Sequence, residues 1–241
     1  MQSLGERLFP LDRQPKRGRI QRVRNELLTS VVSWFRSNGR EFPWRETLDP
    51  FHVLIAEVLL RQTQSARVVG TYTHLVAAYP DPASLAECNV DDLRKWFKPL
   101  GLVQRADRLV ECSRRLVEDY QGQVPRNLRD LQSLPGIGRY SARATLCMAF
   151  NHPLPMIDEG AGRVLRRVLG LSDTGAAYSD VRLAASWEQF RPGSHAREFN
   201  LGLIDISAAH CHSRKPDCRS CPILAVCAFG NGLHRSSRRQ R

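Results

Sequence analysis

Lysine is nearly absent from this chain: it supplies 4 of the 36 basic side chains, and arginine the other 32. The planar guanidinium fork grips phosphate oxygens, so that bias points to a polyanionic partner. Long apolar runs are missing too. The longest, Val53 to Leu60, falls well short of the ~18 residues of a membrane span and is interrupted by Glu57. No apolar segment follows the basic stretch Lys16 to Arg24, so a signal peptide is not expected. Nor is there an alternating apolar–polar run bounded by turns, an internal repeat, or a long low-complexity stretch. With 42% hydrophobic residues extended disorder is not expected either. These absences leave a soluble, cytoplasmic, basic protein of one or two domains with no membrane partner, associated with the nucleoid if prokaryotic.

The charge that is present sits at the ends. Of a formal +12, residues 1–25 carry seven basic against two acidic side chains and residues 211–241 seven against one, which leaves +1 for the middle. Nucleic acid is the simplest partner for such a distribution, and solvated basic tails are the plain alternative. Apolar residues recur at helical steps. Leu102, Val103, Ala106, Leu109, Val110, Leu116, Val117 and Tyr120 form one stripe, and others run from Leu27 to Phe35 and from Tyr72 to Tyr79. Pro/Gly pairs at Pro80–Pro82, Pro99–Gly101, Pro135-Gly136 and Pro192-Gly193 punctuate them. The expected fold class is all-α.

Four local features carry chemistry. Leu134-Pro135-Gly136-Ile137-Gly138-Arg139-Tyr140 lies between helical segments, where glycines let the backbone turn tightly and a helix start offers unpaired amides to a phosphate. A tight turn without a ligand is the alternative. Asp158 precedes a second helical segment; it reads as an N-cap, and also as a carboxylate kept ionised by the helix terminus to stabilise a developing cation or orient water. Glu57 lies in a segment apolar on nearly every face, either paired with Arg61 one turn on or acting as an acid with raised pKa that donates a proton. Finally, Cys211, Cys218, Cys221 and Cys227 follow the pattern Cys-x6-Cys-x2-Cys-x5-Cys, fit for zinc or an iron–sulfur cube, with ligand chemistry alone leaning to zinc. His210 and His212 flank the array as surface or supporting groups, while Cys88, Cys112 and Cys147 read as small buried thiols.

Taken in order, the hairpin, Asp158 and the four cysteines resemble the helix-hairpin-helix (HhH-GPD) base-excision DNA glycosylases, in their endonuclease III/MutY branch, over roughly residues 25–230. The resemblance moves the metal expectation to a [4Fe–4S] cluster on the four cysteines. It implies a two-domain helical fold: a six-helix barrel at 50–155 with the hairpin, a discontinuous cluster domain at 1–49 and 156–230, and a basic tail at 231–241. It also implies a monomer that binds double-stranded DNA and flips out a mismatched or damaged nucleotide. Asp158, Glu57 and Tyr140 fall at catalytic positions, Asp158 stabilising the sugar cation and Glu57 protonating the departing base. Leu134, Gly136, Ile137, Gly138 and Arg139 grip the backbone, Gln62 fills the vacated space, and Leu102 falls where a wedge enters beside the estranged base. Tyr140 stands where bifunctional relatives carry a Schiff-base lysine, which implies a monofunctional glycosylase with weak or no strand-cleaving lyase activity.

For the substrate, Pro43-Trp44-Arg45, Asp49-Pro50-Phe51, Val124-Pro125-Arg126-Asn127 and Phe199 to Asp205 are similar to the Mig-type enzymes that remove thymine or uracil opposite guanine. Arg61-Gln62-Thr63-Gln64 is more similar to adenine glycosylases, and Glu159 matches neither group. The alternatives are an adenine glycosylase acting opposite guanine or 8-oxoguanine, and a non-catalytic iron–sulfur DNA-binding protein of the same fold.

Overall fold

The structure is a computed structural model that describes residues 17–101, 103–172, 175–190 and 192–232, with side chains from residue 23 onward. Among the described residues every regular element is helical. In chain order these are α1 (Arg17–Asn38), α2 (Pro43–Glu46), α3 (Pro50–Leu60), α4 (Ser65–Ala78), α5 (Pro82–Ala86), α6 (Val90–Phe97), α7 (Val103–Tyr120), α8 (Leu128–Ser133), α9 (Arg139–Phe150), α10 (Glu159–Leu169), α11 (Val181–Phe190) and α12 (Ala196–Ala209). The chain divides into two compact units, a middle one of residues 41–154 and a terminal one of residues 1–40 with 155–241.

The middle unit is organised around α3. Asp49 starts this helix by accepting from the amides of Phe51 and His52 at 2.8 and 2.9 Å, with Pro50 at the first helical position. Phe51 and every residue from Val53 to Leu59 are buried, and α3 packs on α2, α4, α7 and α9. Each large apolar side chain so buried contributes on the order of 1.5–3 kcal/mol. Helix α7 turns Ala106, Leu109, Val110, Cys112 and Leu116 inward against α5 and α6. Its expected stripe is narrower than the sequence suggests, since Val103 and Val117 at its edges stay exposed. The unit starts at residue 41, ahead of the expected 50, because Trp44 belongs to its core: its ring stacks on Phe42 at 4.8 Å and meets Tyr72 edge-on at 5.3 Å.

In the terminal unit α12 packs on α1 and α10, and α11 on both of those helices. Two buried polar side chains of α12 tie the unit together. Asp205 accepts from the Arg40 amide at 2.9 Å and from its guanidinium Nε at 2.7 Å. Asn200 Oδ1 accepts from Trp187 Nε1 at 2.7 Å and from the Met156 amide at 3.2 Å, which ties the segment ahead of α10 to α11 and α12. The Phe199–Asp205 motif is thus a structural latch. No helix among the described residues is long and apolar enough to cross a membrane.

Candidate active site and nucleic-acid interface

Asp158 caps α10. Its carboxylate accepts from the Ala161 amide at 2.6 Å, and the Gly160 amide also points at it. Two amide donors and the nearby Arg163 favour ionisation, yet burial outweighs them and its pKa is raised above the ordinary carboxylate value. The sequence expectation that the helix terminus lowers its proton affinity is therefore corrected: desolvation sets the net direction. The tight packing behind this cap explains the residues that follow. A Cβ on Gly160 would stand 2.2 Å from Ser207 Oγ, and one on Gly162 2.3 Å from the Ala177 Cβ, so only glycine lets α10 begin here. Glu159, which matched neither substrate group, accepts from the Ala177 amide at 2.9 Å. It anchors the 3-10 turn Ala177–Ser179 beside α10, together with the buried Arg166–Asp180 pair at 3.3 Å.

In the middle unit Glu57 is buried in α3 among Val53, Leu54, Ile55, Ala56, Val58 and Leu59. Arg61, the partner considered for it, sends Nη1 to the Gly136 carbonyl at 3.1 Å instead of back along its own helix. Gln62 follows the end of α3, exposed and in the left-handed region at φ +56°. That conformation is uncommon for a residue with a side chain and costs on the order of 1 kcal/mol.

The hairpin comprises α8, the turn 134–138 and α9. Gly136 takes φ +79°, and a Cβ there would lie 3.1 Å from the Arg108 Cβ. Leu134 and Ile137 are buried in the core, so what they can offer a ligand is main chain. Gly138 precedes α9 with extended backbone and open space where a Cβ would sit, and α9 has no side-chain cap. Arg139 is exposed and Tyr140 half-buried in the first turn. By contrast α8 is capped by Asn127, which accepts from the Asp130 amide at 3.0 Å. The start of α9 leaves its amides to an external acceptor, the chemistry that suits a phosphate. Leu102 and most of the basic tail, residues 233–241, lie outside the described residues.

The four cysteines of the array form no disulfide. Burial pushes Cys221 up to about 11, with Cys211, Cys227 and Cys218 adding to the rise, and Cys218 and Cys227 move the same way. All four therefore lie within electrostatic reach of one another. Main-chain amides also aim at sulfur: Gly230 N stands 3.4 Å from Cys227 Sγ. Arg167 donates to Cys211 Sγ at 3.2 Å and to the carbonyls of His212 and Ser213 at 2.7 and 2.9 Å, with its guanidinium 4.7 Å above the Phe229 ring. Arg163 holds the Cys211 carbonyl at 2.7 Å. Such donors stabilise a thiolate sulfur more than a neutral thiol, which is only a weak acceptor. Among the described residues no three His, Cys, Asp or Glu side chains form a group that could hold a metal ion. His210 pairs with Ser220 Oγ at 3.0 Å, a supporting contact.

Sequence reasoning missed Arg105, Arg163 and Arg167, and it placed Arg61 beside Glu57 where the structure turns it to Gly136. The i, i+4 spacing of Arg163 and Arg167 on one face of α10 was the available signal.

Comparison with known proteins agrees with this geometry. The HhH-GPD superfamily base excision DNA repair protein family matches residues 55–189. The thymine/uracil-DNA glycosylase of Methanothermobacter thermautotrophicus is 35% identical over 86% of this chain and 94% of its own. The adenine DNA glycosylase of Mycobacterium tuberculosis is 34% identical over 83% of this chain and 66% of its own. The solved structure of a thermostable thymine-DNA glycosylase superposes with a TM-score of 0.81 at 33% identity, covering 88% of this chain and 99% of that one. The chain belongs to the HhH-GPD superfamily of base excision DNA repair proteins and is a DNA glycosylase, a hydrolase of N-glycosyl bonds.

Proposed function

We propose that the enzyme removes thymine or uracil mispaired with guanine in double-stranded DNA, as a monomer and without efficient lyase activity. The observation that carries the base assignment is the match to the thymine/uracil enzyme, which runs nearly end to end in both chains, whereas the chain spans two thirds of the adenine enzyme. The target nucleotide must leave the stack before its glycosidic bond can be reached. Glu57, a buried carboxyl of α3, would give a proton to the departing base. As the C1′–N bond breaks, the Asp158 carboxylate stabilises the positive charge growing on the sugar and accepts a proton from the water whose oxygen bonds to C1′. Its raised pKa makes it a better proton acceptor than a free carboxylate. Tyr140 offers no amine at the position of a Schiff-base lysine, so the sequence should end at an abasic site.

Cys211, Cys218, Cys221 and Cys227 would hold a [4Fe–4S] cluster, supported by their mutual proximity and the amide and Arg167 donors on their sulfurs. When bound, such a group cross-links the loop 211–227 and adds its binding energy to folding. Cys218→Ala should then lose the brown chromophore together with bound iron and sulfide, and lower the unfolding temperature. An unchanged iron content would refute the assignment.

The base assignment is tested by incubating the enzyme with duplexes holding G/T, G/U, A/G and A/8-oxoguanine and cleaving abasic sites with alkali. Cuts in the thymine and uracil strands are expected. Cuts confined to the adenine strand would instead support the second reading, which Arg61-Gln62-Thr63-Gln64 favours; no cut in any strand would refute both. Borohydride should trap little protein–DNA adduct, and substantial trapping would overturn the monofunctional reading.

A further inference from the structure

The strained residue Gln62 does not hold its conformation alone. Arg105, in the first turn of α7, reaches across to the carbonyl end of α3, where its Nη1 donates to the Val58 carbonyl at 3.2 Å and to the Arg61 carbonyl. These are orphan acceptors of the helix end, and the Arg61 carbonyl belongs to the peptide bond that leads into Gln62. The same carbonyl takes the Thr63 hydroxyl at 3.3 Å, and the Thr63 amide returns to Leu60 at 3.3 Å, so the loop is pinned on both sides of Gln62. The Arg61 side chain runs the other way, to the Gly136 carbonyl in the hairpin turn, where Arg108 packs under the glycine. One node therefore joins the loop that presents Gln62 to the turn that precedes α9. It gathers three guanidiniums, Arg61, Arg105 and Arg108, although burial and the other two cations all weigh against a proton on Arg105. A cation kept in such surroundings is held there by the carbonyls it satisfies.

We infer that Arg105 is a positioning residue for base excision: by capping the carbonyl end of α3 it locks Gln62 in the left-handed conformation from which its side chain enters the space left by the flipped nucleotide. The inference rests on the proposed glycosylase reading and on the place beside the flipped nucleotide that the family resemblance implies for Gln62. A preset left-handed turn spares the enzyme from ordering this loop during each flipping event, so losing the lock costs rate at the flipped state.

A double-mutant cycle read by single-turnover excision from a G/T duplex tests it. Arg105→Met should slow excision by about tenfold with Gln62 present and by less than about twofold in the Gln62→Ala background, with Arg105→Lys recovering part of the loss. A merely structural Arg105 would cost the same in both backgrounds, and that outcome overturns the inference. Thermal unfolding supplies a second cycle that is independent of DNA. Gln62→Gly removes the cost of φ +56°, so it should raise the unfolding temperature more in the wild type, where the lock enforces that cost, than in Arg105→Met, where the loop can relax. Equal effects would refute the lock. A Gln62→Ala enzyme with wild-type excision would overturn the DNA-facing role of Gln62, while the thermal cycle would still report whether Arg105 holds the loop.

Discussion

The starts of α9 and α10 meet the same electrostatic problem in opposite ways. Each helix begins with unpaired amides and a partial positive charge. At α10 the chain fills the site itself: Asp158 accepts from Ala161 at 2.6 Å, packed so closely that Gly160 and Gly162 admit no side chain. At α9 the chain leaves the site empty: Gly138 has no cap to offer and nothing within 4 Å of where a Cβ would stand. On the function proposed here, the difference separates a carboxylate that would serve chemistry from amides that would meet an anion brought by DNA. It also shows that a helix terminus does not fix the ionisation of its cap. At Asp158 burial decides the direction against the amides.

The comparison can be broken from either side. The largest of these effects is expected at the crowded terminus. Gly160→Val must displace Ser207 and with it Asp158, and should reduce excision by about 10²-fold while lowering the unfolding temperature. Ser207→Ala alone should cost far less. At the open terminus, Gly138→Asp installs the cap that α10 has. Its backbone is extended at φ −87° and tolerates a side chain, so the protein should gain about 1 kcal/mol of stability while DNA affinity falls by about tenfold at low salt. A rise in both quantities would show that the α9 amides do not meet phosphate. The smallest effect is electrostatic. Glu159→Gln keeps an acceptor for the Ala177 amide but removes a charge that raises the Asp158 pKa, so the acid limb of the excision profile should move to lower pH.

The raised pKa of Asp158 also has a stability consequence. The folded protein holds this proton more tightly than the unfolded chain does. The site therefore favours folding below the ordinary carboxylate range and opposes it once pH rises through the raised value. Asparagine caps a helix as well as aspartate, so Asp158→Asn should unfold at a higher temperature than the wild type at neutral pH.

Much of this was legible in the chain itself. The all-helical fold follows from the 3.6-residue stripes, and the hairpin turn from two glycines around Ile137. The position of Asp158 ahead of a helix and the spacing of the four cysteines were equally plain. What escaped the sequence depends on pairs far apart in it. The Arg61 bond to Gly136 spans 75 residues and the Arg105 bond to Arg61 spans 44. Without those partners Arg61 reads as a helical neighbour of Glu57, and Arg105 as one more surface charge. Burial was hidden for the same reason. Nothing local tells that Leu134 and Ile137 face the core, or that desolvation at Asp158 exceeds the pull of two amides. The left-handed turn at Gln62 was hidden because glutamine carries no signal for it.

The most direct single test is single-turnover excision of thymine from a G/T duplex by Asp158→Asn, with duplex affinity measured on the same preparation. The account predicts a loss of about 10³-fold or more in excision with affinity little changed. Excision at the wild-type rate would contradict the assignment of Asp158 and, with it, the division of labour between the two helix termini.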